Sequence, residues 1–143
     1  MTEQSDIQQI TDEQRVYAAS VLHNLPFAKL IGMRLVDLQP GAAKMTVDMR
    51  DDLRQPSGIL HGGVTATLID TAMAFAMRTM IAADQNTATI DLTVHYLRPH
   101  TEGTIECTAT VVRPGKRIFT ISADVVGPSG KLIATAISTY TKV

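Results

Sequence analysis

Asp70 is a carboxylate set in an apolar run. If the surrounding residues are helical, its same-face neighbours are Ala66, Thr67, Met73 and Ala74. No basic residue lies within one turn, and Arg78, eight positions on and about 80° round a helix, does not pair with it locally. An unpaired carboxylate is costly to bury. Two readings stay open for it. One is a reacting carboxylate in a cleft, with small Ala and Thr neighbours leaving room for a substrate. The other is a buried Asp satisfied by backbone donors of a neighbouring strand.

A second feature precedes it. His61-Gly62-Gly63 opens the same apolar run. Glycines let a substrate approach the backbone closely, and a helix N-terminus presents unpaired N–H groups with partial positive charge. Such a site polarises a carbonyl or holds an oxyanion. Read alone, the glycines equally serve a tight start to the helix, and His61 equally serves as a cap or packed side chain. Together they set a constraint. His61 and Asp70 are nine positions apart, roughly 13 Å along a helix at ~1.5 Å per residue. A carbonyl donor and an attacking group must lie within ~3 Å of one carbon. If both features are catalytic, Asp70 must meet the helix N-terminus of a second copy.

The elements that position these residues are legible from periodicity. Gly63 to Ala83 is the one long helical segment, apolar nearly all round, which predicts burial on every side. Asp12 to about Asn24 reads as a shorter helix, with Val16, Ala19 and Leu22 on one face, a Thr11 or Asp12 cap, and Pro26 at its end. Residues 1–26 thus form a helical lead-in to a single domain spanning 1–143. Strands are expected over Met33–Gln39 and along Ala43, Met45, Val47 and Met49, which alternate with polar residues. Ala88, Ile90, Leu92, Val94 and Tyr96 alternate with Thr89, Asp91, Thr93 and His95. Ile105, Cys107, Ala109 and Val111 form the next apolar face, then Phe119, Ile121, Ala123 and Val125, and Leu132 to Thr141 is the last strand. At Pro114-Gly115, proline presets the second turn position and glycine tolerates positive φ at the third. Short turns make the strands mostly antiparallel. A sheet with one apolar face must wrap something, and the long helix is the only candidate. The fold class is α+β, a curved antiparallel sheet around one central helix, with an open edge that invites pairing with a second copy.

Composition narrows the class. At 45 % hydrophobic residues the 143-residue chain is too apolar for disorder. A net charge of −1 argues against nucleic acid as a partner. The single Cys107 forms no internal disulfide. The first ten residues show no signal-peptide pattern, and no apolar stretch approaches the ~18 residues of a membrane span. A soluble cytoplasmic domain without a membrane partner is expected. With no Trp, three Phe and three Tyr, its core must be aliphatic and Met-based. His23, His61, His95 and His100 are scattered without zinc spacing, so no metal is expected, and neither a phosphate loop nor a serine elbow is present.

The run Gly58-Ile59-Leu60-His61-Gly62-Gly63-Val64-Thr65-Ala66-Thr67-Leu68-Ile69-Asp70-Thr71-Ala72 closely resembles the signature of the hotdog-fold acyl-CoA thioesterases of the phenylacetate-degradation type. Leu30-Ile31-Gly32-Met33, Thr93-Val94-His95-Tyr96-Leu97-Arg98-Pro99, Gly115-Lys116-Arg117 and Gly130-Lys131-Leu132-Ile133-Ala134 extend the resemblance from about Phe27 to Val143. It implies a strongly curved antiparallel sheet around one long helix, a homodimer or dimer of dimers, and active sites at the subunit boundary. It also implies an acyl-CoA substrate, with coenzyme A part of that substrate and no separate cofactor. By the same resemblance Asp70 is the nucleophile or general base, Gly62 N–H polarises the thioester carbonyl, and His61 orients the thioester or its loop. Thr89 helps to hold the attacking water, although it falls on the polar face of its strand pattern. The family commonly has Asn six residues before the His; here that position is Gln55, one methylene longer. Gly63 and Thr67 flank the substrate. A non-catalytic acyl-CoA-binding module is the alternative from another class, and a hotdog hydratase or dehydratase, which needs a different His and acid arrangement, is a third reading.

Two clusters remain. Arg113, Lys116 and Arg117 surround one turn and suit the phosphates of CoA, or form a solvated hairpin tip. Met73, Met77 and Met80 recur at helical spacing and either shape an acyl pocket or pack the core.

Overall fold

A computed structural model describes residues 8–143; residues 1–7, which include most of the stretch read for a signal peptide, lie outside the described residues. The lead-in forms two helices, α1 (Asp12–Asn24) and α2 (Pro26–Ile31). Thr11 caps α1 through a capping box, its hydroxyl accepting from Gln14 N–H at 3.1 Å while the Gln14 side chain accepts from Thr11 N–H at 2.8 Å. Pro26 ends α1 as expected but also begins α2, because proline suits the first helical position. Gly32, at φ 85°, then ends α2 in the left-handed region. Leu22 and Ala28 fix this lead-in to the core, whereas Val16, on the same face of α1 as Leu22 by its spacing, is 70 % exposed.

The strands are β1 (Arg34–Gln39), β2 (Ala42–Asp48), β3 (Thr87–Tyr96), β4 (Thr104–Pro114), β5 (Ile118–Val126) and β6 (Leu132–Lys142). They form one sheet in the order β1-β2-β4-β5-β6-β3, and every pairing is antiparallel. The third helix, α3 (Gly62–Arg78), packs against this sheet. Leu68, Ile69, Ala72, Met73, Ala76 and Met77 are fully buried there against Met45, Cys107, Ile121 and Val125. Burying each large aliphatic side chain contributes about 1.5–3 kcal/mol, so this interface is a large contributor to the stability of the fold. Met73 and Met77 are core residues; Met80 lies beyond the helix, partly exposed, with its sulfur against Gly41. Burial, with Asp124 adding to it, pushes the Cys107 thiol up to about 12, so it packs as a small hydrophobe.

Two expectations for the long helix are corrected. It ends at Arg78 rather than Ala83, because the Thr79 hydroxyl donates to the Ala76 carbonyl at 2.7 Å and accepts from Gly41 N–H at 2.7 Å, tying off the last turn to the β1–β2 turn. Nor is it covered on every side. Gly63, Thr67, Asp70, Thr71, Ala74, Phe75 and Arg78 form a stripe that keeps some exposure. Among the described residues no helix is long and apolar enough to cross a membrane.

Four register shifts break the period of two. One falls at Val125/Val126 of β5, opposite Ala134 and Leu132, and leaves buried Ile133 as the extra residue on β6. The other three fall between Leu35 and Asp37, between Val111 and Arg113, and between Thr89 and Asp91. The extra residues, Val36, Val112 and Ile90, are 54 %, 60 % and 56 % exposed, although each looks like a core residue by type. Each bulge inverts the facing of the residues on one side of it. At the Pro114-Gly115 turn, Gly115 does not take a positive φ. Glycine is required there because a Cβ would lie 2.2 Å from the Ile118 carbonyl oxygen.

Candidate active site

The site begins at the N-terminus of α3. His61 is the N-cap, and its Nδ1 accepts from Gly63 N–H at 2.9 Å. Val64 N–H turns back to the His61 carbonyl at 2.9 Å. Gly63 N–H is therefore engaged, while among the described residues Gly62 N–H has no partner. Gly62 itself is held from above. The Tyr96 hydroxyl donates to the Gly62 carbonyl at 2.7 Å, and a Cβ on Gly62 would lie 3.2 Å from the Tyr96 ring. Partial burial raises the Tyr96 pKa, which keeps that donor protonated. Thr67 returns its hydroxyl to the Gly63 carbonyl at 2.8 Å, so its polar group is used within the helix.

Two turns further along α3, Asp70 is held by two hydroxyls. Thr89 donates to Oδ1 at 2.8 Å and Tyr140 donates to the same oxygen at 2.6 Å. Tyr140 also reaches the Asp70 carbonyl at 2.6 Å. Among the described residues Oδ2 has no hydrogen-bond donor. Burial above all, together with its hydrogen bond to the Asp70 carboxylate, pushes the Tyr140 pKa far above the ordinary tyrosine value; Thr89 opposes this less strongly. Tyr140 is thus a permanent donor. Thr89 reaches Asp70 because of the bulge at Ile90. The strand pattern places Thr89 on the polar face, but it pairs opposite buried Tyr140 and faces the helix. Beyond the bulge the inward set becomes Leu92, Val94 and Tyr96, opposite Ser138, Ala136 and Ala134.

A cleft of about 460 Å³ opens beside Gly62 and Gly63, walled by Tyr96, Leu97, Ile133, Ile59 and His100, and Gln55 lines it. Gln55 is placed by its backbone, whose N–H donates to the Ile59 carbonyl at 2.9 Å and whose carbonyl accepts from Gly58 N–H at 2.9 Å. Arg54 clamps the same loop, donating to the Gly58 and Thr101 carbonyls and to Asp51 and Glu102.

The protomer brings together Asp70, Thr89 and Tyr140 at one end, and His61, Gly62, Gly63 and Gln55 at the other. It does not join the two groups. Thr89 and Tyr96 stand seven positions apart on β3, roughly 20 Å at strand rise. Arg113, Lys116 and Arg117 are exposed on the β4–β5 hairpin, at the sheet end that carries Thr89 and Tyr140. Tyr140 and Tyr96 were not legible as site residues. Their signal was present only as hydroxyl-bearing side chains on otherwise apolar strand faces. Among the described residues no group of three or more His, Cys, Asp or Glu side chains is placed to hold a metal ion.

Replacing Tyr140 by Phe keeps the ring and removes the donor to Asp70. The expected cost is about 1–3 kcal/mol of stability, read by thermal denaturation.

A family model described as the thioesterase superfamily matches residues 57–134. Acyl-coenzyme A thioesterase 13 of Homo sapiens is 30 % identical over 113 residues, covering 76 % of this chain and 79 % of the relative. Acyl-coenzyme A thioesterase PaaI of Escherichia coli K12 is 29 % identical over 119 residues, covering 82 % of each. Among solved structures, a conserved Pseudomonas aeruginosa protein gives a TM-score of 0.82 at 27 % identity, covering 87 % of this chain and 99 % of that one. The E. coli PaaI structure gives 0.82 at 24 % identity over 92 % of each chain, a likeness that shows the fold alone. The architecture is the hotdog fold.

Proposed function

Because this chain belongs to the thioesterase superfamily, we propose that it hydrolyses acyl-CoA thioesters to the free acid and CoA. The observation that carries this reading is Asp70, a carboxylate fixed at Oδ1 by Thr89 and Tyr140, with neither Oδ2 nor the first N–H of its helix engaged among the described residues.

The two halves meet through β3. It is an edge strand, and an exposed edge is a template for a second copy. A two-fold axis that pairs β3 antiparallel with its counterpart sets the Thr89 end of one subunit beside the Tyr96 end of the other. Asp70 then faces Gly62 of the partner subunit across the stripe of α3 that the protomer leaves open. In the composite site Gly62 N–H polarises the thioester carbonyl, strengthened by the helix N-terminus. Asp70 Oδ2 attacks the carbonyl carbon or takes the proton from an attacking water. In the first case the C–O bond to Asp70 forms as the C–S bond breaks, and water then hydrolyses the mixed anhydride to the free acid, regenerating the Asp70 carboxylate. In the second the C–O bond to water forms as the C–S bond breaks. In both, a proton from that water passes to the CoA thiolate. His61 holds the first turn in place, and Gln55 offers its amide to the thioester from the cleft wall. The basic hairpin, on the Asp70 side, meets the CoA phosphates.

The test is thiol release from short, medium, long and aryl acyl-CoAs. Turnover of at least one chain class supports the reading. Tight binding across the panel without thiol release would replace it with a binding module.

A further inference from the structure

The bulge that aims Thr89 at Asp70 has its own fastening. Asp91 lies just beyond it, exposed on the outer face of β3. Its Oδ1 accepts from the backbone N–H of Thr139 on β6 at 2.9 Å. Ser138, fully buried, donates its hydroxyl to the Asp91 carbonyl. One residue is thus tied to β6 from both its side chain and its backbone, where the register has slipped. A bulge disrupts the ladder locally, so the facing of the residues on its two sides depends on contacts that hold the extra residue in place. A slide of one residue would turn Thr89 outward and remove one of the two donors to Asp70.

We propose that Asp91 is a positioning residue for hydrolysis: with Ser138 it locks the bulge at Ile90, so that Thr89 stays turned towards Asp70. The proposal rests on the reading of Asp70 as the reacting carboxylate. The requirement is for an acceptor at Oδ1 rather than for a negative charge, because the partner is a backbone N–H. Asparagine at position 91 keeps that acceptor and alanine removes it. Among the described residues Asp91 makes no hydrogen bond to Asp70 and does not line the cleft, so its effect on Asp70 is expected to run through Thr89.

The experiment compares Asp91→Ala, Asp91→Asn, Thr89→Val and the double variant Asp91→Ala/Thr89→Val by thiol release, with hydrogen exchange at the Thr139 amide. Asp91→Ala is expected to lower kcat about tenfold, a factor that corresponds to one hydrogen bond, with KM within about twofold and Thr139 exchange at least about tenfold faster. Asp91→Asn restores both. In the Thr89→Val background, Asp91→Ala costs no further kcat, because the two changes break one pathway. Wild-type kcat in Asp91→Ala, or a full additional loss in the double variant, would overturn the proposal. If Asp91→Ala does not fold, Ser138→Ala interrupts the same fastening and carries the same expectations. Failure of the parent reading is separate: an Asp70→Asn variant with full turnover would remove the reacting carboxylate while leaving the exchange result intact.

Discussion

Asp70→Asn is expected to lower kcat by about a thousandfold or more, in line with the loss of a positioned general base or nucleophile, with little change in acyl-CoA binding or melting temperature. The side-chain shape is kept, and the amide oxygen still accepts from Thr89 and Tyr140. What changes is the other atom. Oδ2, the position without a donor among the described residues, becomes an NH2 that can neither attack nor take a proton. Thiol release reads the chemistry, calorimetric titration reads binding, and a melting curve reads the fold. An unfolded variant would point to a structural Asp, and full turnover would exclude Asp70 from the chemistry.

Gly62→Pro is expected to cost about 100-fold to 1000-fold in kcat, the range for loss of one oxyanion donor. Proline is the informative choice because Gly62 is the first residue of α3, where proline suits the backbone and removes only an N–H that no helix bond uses. Its ring pushes on Tyr96, a partly exposed side chain that can yield. Gly62→Ala is the control: it makes the same push at 3.2 Å but keeps the N–H. Alanine near wild type and proline inactive would assign the effect to the donor; equal losses would assign it to crowding.

Much of this was legible in the sequence because it is local. The apolar run from Val64 to Met77 reads directly as a helix packed on a core, the Gly-Gly start follows from helix termini, alternation finds the four strands that carry Met45, Leu92, Cys107 and Ile121, and turn signals bound the other two. The separation of Asp70 from the start of α3 likewise follows from the rise of a helix. What was not legible depends on register. Ile90 fits the alternation of β3 by type, so nothing in the chain announces that it is the extra residue of a bulge, and Thr89 is therefore read on the wrong face. Tyr140 reads as one more core residue because its partner Asp70 lies 70 positions away, across a pairing that periodicity does not reveal. The helix end is hidden in the sequence for a similar reason. Met80 and Ile81 prolong the apolar pattern, while the stop comes from the Thr79 hydroxyl meeting Gly41, 38 positions distant.

The central claim is that each active site takes Asp70 from one subunit and Gly62 from its partner. Mixing the two inactive variants tests it most directly. Asp70→Asn and Gly62→Pro chains, unfolded together in equal amounts and refolded, form mixed dimers in about half of cases by random association, each with one intact site of two. The predicted result is recovery of about a quarter of wild-type turnover, from two preparations that each have almost none. If both residues served one site within a single chain, no mixture could assemble an intact site, and turnover no higher than the sum of the separate variants would contradict the account.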